Sequence, residues 1–178
     1  KAASNYVWDL GANTGVFRRI ASNRDIKTIA FDIDPVAVEK NYLHSKENDE
    51  INILPLLLDL TNPSSAIGWA NSERMSITQR SKPDTVMALA LIHHLAISNN
   101  VPLARIADFF SNLGDNLIIE FVPKNDSQVQ KLLASREDIF NSYNQEDFEK
   151  AFSEFYTIIE KAEIKGTLRT LYLMSKVD

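Results

Sequence analysis

Between Asp9 and Gly15 the chain reads Asp-Leu-Gly-Ala-Asn-Thr-Gly, a spacing that suits the holding of a small charged molecule. Gly11 and Gly15 permit positive φ or a close backbone approach, and Asn13 is among the non-glycine residues that best tolerate the left-handed region. If a helix follows directly, the N–H groups of Asn13 to Val16 are left without partners and can hold a carboxylate. Asp9 adds a negative charge suited to a cationic group. The dinucleotide fingerprint needs glycines at the positions of Gly11, Asn13 and Val16, and only the first is glycine.

Further along lie Asp32, Asp59 and the pair His93-His94. A single Asp at the end of a strand is most often a solvated turn residue or a cap. It is the joint order and spacing of these acids that sets them apart. Asp34 competes with Asp32, but its place before Pro35 is explained by capping. A histidine has an unperturbed pKa near neutrality, so His93 or His94 can act as a general base, while a purely structural role for one of them is equally open.

The elements that must position these groups follow from hydrophobic patterning. Tyr6, Val7 and Trp8 form a strand, and Gly15 to Asn23 a helix with Val16, Phe17 and Ile20. Ile26 to Asp32 is the second strand, and the helix after Pro35 has a partial apolar face of Val36, Val38, Tyr42 and Leu43. Ile51 to Leu58 is the third strand, ending on Asp59. In the irregular stretch 61–83, the turn at Asn62 to Ser65 starts a short helix with Ile67 and Trp69, the latter packing its loop or, as a lesser reading, stacking on a ligand.

The fourth strand, Asp84 to Ile92, is apolar enough to be buried on both faces. Asn99 or Asn100 is expected to cap a helix whose core face is Leu103, Ile106, Phe110 and Leu113, with Gly114 as its stop. Leu117 to Val122 is the fifth strand, with Glu120 facing a substrate or pairing with a nearby Lys. A helical stretch at Val129 to Leu133 and another capped by Asn144 follow, and Phe148, Phe152 and Phe155 are core residues. Tyr156 to Ala162 and Leu168 to Met174 are too closely joined at Lys165-Gly166 for a crossover helix, so they must pair antiparallel.

The pattern Asp-x-Gly-x-Asn-x-Gly, with five alternating strand and helix units and a closing hairpin, resembles the class I S-adenosylmethionine-dependent methyltransferases. The resemblance runs from Tyr6 to Met174 and implies a three-layer αβα sandwich. Its mainly parallel seven-stranded sheet would have the order 3-2-1-4-5-7-6, with strand 7 antiparallel. It also implies S-adenosyl-L-methionine as cofactor. Asp9, Gly11, Ala12, Asn13 and Gly15 would then lie at its methionine moiety, Asp32 and Ile33 at its ribose, Asp59 and Leu60 at its adenine, and Ala90 at the end of the fourth strand. His93 and His94 would face the methyl-transfer site. The segments Ile119-Glu120-Phe121-Val122-Pro123-Lys124 and Arg136-Glu137-Asp138-Ile139-Phe140 are similar to bacterial methyltransferases described as nodulation-protein-like, a description that names no substrate.

Composition narrows the remaining choices. The 178 residues are 44% hydrophobic and 24% charged, which fits one globular domain over 1–178. There is no cysteine for a disulfide or a thiolate-ligated metal, and three histidines offer little for a metal site; a cytoplasmic setting is the expectation. A net charge of −5 with scattered basic residues argues against nucleic acid as partner and leaves a small-molecule acceptor favoured. The Asn62-Pro63 pair reads as a turn. No apolar run is long enough to span a bilayer. The start so close to the first strand suggests upstream residues, or an upstream domain, in the natural protein. A nicotinamide-dependent oxidoreductase and a non-catalytic methyltransferase-like module are the alternatives, and the oligomeric state is open.

Overall fold

The structure is a computed structural model and describes residues 4–17 and 19–177. The chain forms two compact units, residues 1–85 and 86–178.

In the first unit, β1 (Tyr6–Leu10), α1 (Arg19–Ser22), β2 (Lys27–Asp32), α2 (Pro35–Glu47) and β3 (Ile53–Leu57) alternate. The three strands are parallel, with Leu10 opposite Phe31 and Asp32 opposite Leu57. Val7, Trp8 and Leu10 are buried, and the Trp8 ring meets Phe31 edge-on with centroids 5.2 Å apart. On β3 Leu54, Leu56 and Leu57 are exposed, and Pro55 lacks the N–H that a central strand would need.

Three expectations for this unit are corrected. The helix expected over 15–23 is shorter, because the Thr14 and Gly15 carbonyls accept from the Arg19 guanidinium at 3.2 and 3.0 Å. Val16, Phe17 and Ile20 are exposed, and Arg18, inside the expected helix, lies outside the described residues. On α2, Asp34 accepts from the Val36 N–H at 2.9 Å and Pro35 is the first helical residue, as expected. Its buried stripe, however, is Ala37, Asn41 and Ser45, spaced by four, while Val36, Tyr42 and Leu43 are exposed. Small side chains on that stripe let the helix lie close against β2 and β3.

In 61–83, Ile67 bridges Arg74 antiparallel, with Gly68 (φ 89) turning the chain. A Cβ at Gly68 would come within 2.3 Å of Glu73. The tight loop lifts Trp69 onto a 3-10 turn, 86% exposed, so the expected packing role is overturned.

The second unit holds most of β4 (Thr85–Ala88), then α3 (Leu103–Leu113), β5 (Asn116–Phe121), α4 (Ser127–Leu133), α5 (Gln145–Ser153), β6 (Tyr156–Glu163) and β7 (Thr170–Lys176). β7 is antiparallel to both β5 and β6, and the strand order is β3-β2-β1-β4-β5-β7-β6, as the resemblance implied. β4 is four residues long and wholly buried, shorter than the expected run to Ile92. Leu103, Ile106, Phe110 and Leu113 are buried on α3. Neither Asn99 nor Asn100 caps that helix: Pro102 stands at its start, and the Asn99 side chain donates to the His94 carbonyl at 2.9 Å. Asn144 accepts from the Asp147 N–H at 2.9 Å and starts α5 as anticipated. Phe155 is only half-buried.

Phe148 is fully buried and central to an aromatic cluster, its ring 5.0 Å from Phe121, 4.4 Å from Phe152 and 5.2 Å from Tyr172. The cluster ties α5 to β5 and β7. Truncation by Phe148→Ala should therefore cost about 3–5 kcal/mol in urea unfolding. A loss below ~1 kcal/mol would show that the cluster does not hold the hairpin.

Candidate functional site

The turn after β1 is built on hydrogen bonds to β2. Gly11 and Ala12 both donate N–H to the Phe31 carbonyl at 2.9 Å, which brings the turn over the end of β2. Gly11, Asn13 and Gly15 take positive φ of 75, 49 and 84°. Asn13 donates its N–H to Asp32 Oδ2 at 2.7 Å, and Asp34 donates to Asp32 Oδ1 at 2.9 Å. The Thr14 N–H donates to the Asn13 side-chain oxygen at 2.7 Å, and Gly15 donates to the Ala12 carbonyl at 2.9 Å. The expectation of unpaired N–H groups from Asn13 to Val16 is thus corrected for 13, 14 and 15: a carboxylate is held there, and it is the protein's own. Arg19 braces the turn from below through two bonds to Glu50, at 2.7 and 2.8 Å, which hold the Glu50 carboxyl below its usual range.

Asp9 is buried at the end of β1. Ile33 is exposed beside Asp32. Asp59 accepts from the Thr61 hydroxyl at 2.7 Å and from the Thr61 N–H at 2.8 Å, bonds that lower its pKa and make an Asx turn after β3. Asp59 and Leu60 are half-buried. The first unit thus brings the glycine turn and Asp32 into direct contact through hydrogen bonds.

In the second unit the chain leaves β4 through Ala90, at φ 48°, whose N–H donates to Glu120 Oε2 at 2.8 Å. That capture ends β4 before the histidines. His93 and His94 lie on a helical segment, a π-helical turn over His94–Ser98, and not on the strand. Their rings stand 4.2 Å apart, with His93 buried (1% exposed) and His94 exposed. His93 Nδ1 has no hydrogen-bond partner. Burial, with smaller contributions from the charges of His94 and Arg169, lowers the His93 pKa to about 4, so the imidazole is neutral at pH 7. Arg136 donates to the Ile97 carbonyl and fastens the far end of this segment.

Glu120 pairs with an arginine and not the lysine considered from sequence. Arg169 NH1 donates to Glu120 Oε1 at 3.0 Å, while Nε and NH2 grip Asp126 at 2.7 and 3.1 Å. Arg169 and Asp126 carried no local signal: one precedes a strand, the other is an ordinary helix cap. Lys124 binds both oxygens of Asp138 at 2.8 Å, joining the two segments similar to nodulation-protein-like methyltransferases. Among the described residues no His, Cys, Asp and Glu group is placed to hold a metal.

No protein-family model matches the chain. Over 171 residues, 96% of its length, it is 44% identical to nodulation protein NoeA of Rhizobium meliloti (strain 1021), and it spans 36% of that relative. Among solved structures, the N-methyltransferase NodS from Bradyrhizobium japonicum WM9 superposes with a TM-score of 0.64 at 13% identity, over 99% of this chain and 88% of that one. Magnesium protoporphyrin IX methyltransferase (ChlM) from Synechocystis PCC 6803, with bound SAH, gives 0.62 at 14% identity, covering 96% of this chain and 74% of the other. The strand order, the glycine turn bonded to Asp32 and these likenesses lead to one conclusion: the chain has the class I methyltransferase fold and is a sequence relative of NoeA over nearly all its length.

Proposed function

We propose that residues 1–178 act as one S-adenosylmethionine-dependent methyltransferase domain, bacterial and cytoplasmic, working on a small-molecule acceptor. The observation that carries the reading is the Asp32 carboxylate locked against a left-handed Asn13 at the end of β1. Each Asp32 oxygen accepts one backbone N–H, which fixes the carboxylate and leaves a second lone pair per oxygen for a ribose diol. The donor fits this carboxylate. Its amino acid end would have to find groups other than the N–H groups of 13–15, which the protein already occupies.

When bound, S-adenosylmethionine supplies a methyl group on a cationic sulfonium. In this reading Asp9 and the turn of Gly11, Ala12, Asn13 and Gly15 lie along the methionine end without giving it the N–H groups of 13–15, Asp32 and Ile33 hold the ribose, and Asp59 and Leu60 the adenine. His93 or His94 is the candidate general base; His93 is buried and neutral, whereas His94 is the exposed imidazole that an acceptor can reach. Methyl transfer is an in-line displacement, so positioning supplies much of the rate and the base assists. An acidic chain with scattered basic residues disfavours nucleic acid, and the acceptor in ChlM's name, magnesium protoporphyrin IX, is a small molecule. Among the described residues no helix is long and apolar enough to cross a membrane.

Titration calorimetry should detect S-adenosylhomocysteine binding to the wild type. Asp32→Ala should weaken it by about 2–3 kcal/mol, the loss of hydrogen bonds to a charged group. Asp34→Ala should leave affinity nearly unchanged and lower stability by about 1 kcal/mol through the lost cap. No heat from a folded wild-type sample sinks the reading.

A second measurement concerns His93. Folded His93 stays neutral down to about 4, whereas the unfolded chain protonates it from about pH 6.5. Stability therefore falls as pH drops through that window, by up to about 3 kcal/mol. His93→Gln should flatten this part of the stability–pH curve. Identical slopes in variant and wild type would refute a buried neutral imidazole.

A further inference from the structure

The turns that follow β1 and β4 share one hydrogen-bond arrangement. In the first unit Asn13, at φ 49°, donates its N–H to Asp32 at 2.7 Å. In the second, Ala90, at φ 48°, donates its N–H to Glu120 at 2.8 Å. Each carboxylate comes from the next strand in the sheet order. The two cases differ in what the turn residue brings. Asparagine tolerates the left-handed region through local hydrogen bonds of its own side chain, and Asn13 makes one, to the Thr14 N–H. Alanine has no such group, so the conformation at 90 must be imposed from outside.

Glu120 is placed to impose it. The residue is 7% exposed, and the oxygen not facing Ala90 accepts from Arg169. Arg169 is itself held by two bonds to Asp126, which also caps α4 by accepting the Gln128 N–H at 2.9 Å. A continuous chain of charge-assisted bonds thus runs from the start of α4, through the head of β7, to the backbone of Ala90. A planar guanidinium can join two carboxylates at fixed angles, whereas a lysine ammonium acts as a point charge. Asp32, by contrast, has only two backbone N–H groups as its partners among the described residues, so it retains acceptor capacity.

We infer that Glu120 and Arg169 are positioning residues that impose the left-handed backbone at Ala90, Arg169 acting through Glu120. This clamp does not rest on the proposed function. Residue-resolved amide exchange on the ligand-free protein tests the clamp. Glu120→Ala should speed exchange at Ala90 by about tenfold or more, the loss of a bond to a charged acceptor, with Asn13 unchanged. Glu120→Gln keeps an acceptor oxygen and should retain most of the protection. Arg169→Lys should give an intermediate rate, and it remains informative if Glu120→Ala does not fold. Unchanged Ala90 exchange in a folded Glu120→Ala, or in Arg169→Lys where that variant alone folds, overturns the clamp.

Discussion

A strand that ends in a tight turn must release its last backbone groups from the ladder without leaving them unpaired. This protein meets the constraint with carboxylates. Asp32 receives the N–H of Asn13, Glu120 receives that of Ala90, and Asp59 receives that of Thr61. A bond between an amide and a charged oxygen contributes more than one between neutral groups, enough to offset the roughly 1–2 kcal/mol that a left-handed residue costs. The turns at Asn13 and Ala90 are therefore set by side chains distant in sequence, whereas that at Asp59 is local, and the elements around the first two serve to bring those side chains into place.

For Glu120 that service comes from the core. Arg169 reaches it only because β7 pairs antiparallel with β5, placing Thr170 opposite Phe121. The register is supported by the aromatic cluster of Phe121, Phe148, Phe152 and Tyr172. The Tyr172 hydroxyl is then secured by Glu149 at 2.6 Å and by Gln145 at 2.7 Å. Apolar burial supplies the stability, and the polar bonds at its margin supply the direction. The histidines show the same division: Ile92, Leu95 and Ile97 bury the segment, and burial keeps the His93 imidazole neutral while His94 is exposed.

The sequence by itself determined most of the fold. Alternation of apolar runs with helical periodicity, and a hairpin turn too short for a crossover, specify the alternating elements and the antiparallel closing pair, because these signals are local and act within a few residues; the strand order was implied by the family resemblance. It also determined the turn conformation at Gly11, Asn13 and Gly15, the caps at Asp34 and Asn144, and the core face of α3. Asp32 was legible because the spacing from the glycine turn matches one βαβ unit.

Tertiary structure decided the rest. The buried stripe of α2 is Ala37, Asn41 and Ser45, although Val36, Tyr42 and Leu43 are more hydrophobic, because close approach to the strands favours small side chains. Trp69 is exposed because a glycine-turned bridge 67–74 holds it outward. The fourth strand stops at Ala88 because a carboxylate thirty residues beyond Ala90 takes its N–H, and that carboxylate is oriented by an arginine still further along. No window of sequence contains all three residues. Local patterns specify which elements form, whereas pairings between distant side chains specify where those elements end and which way their functional groups point.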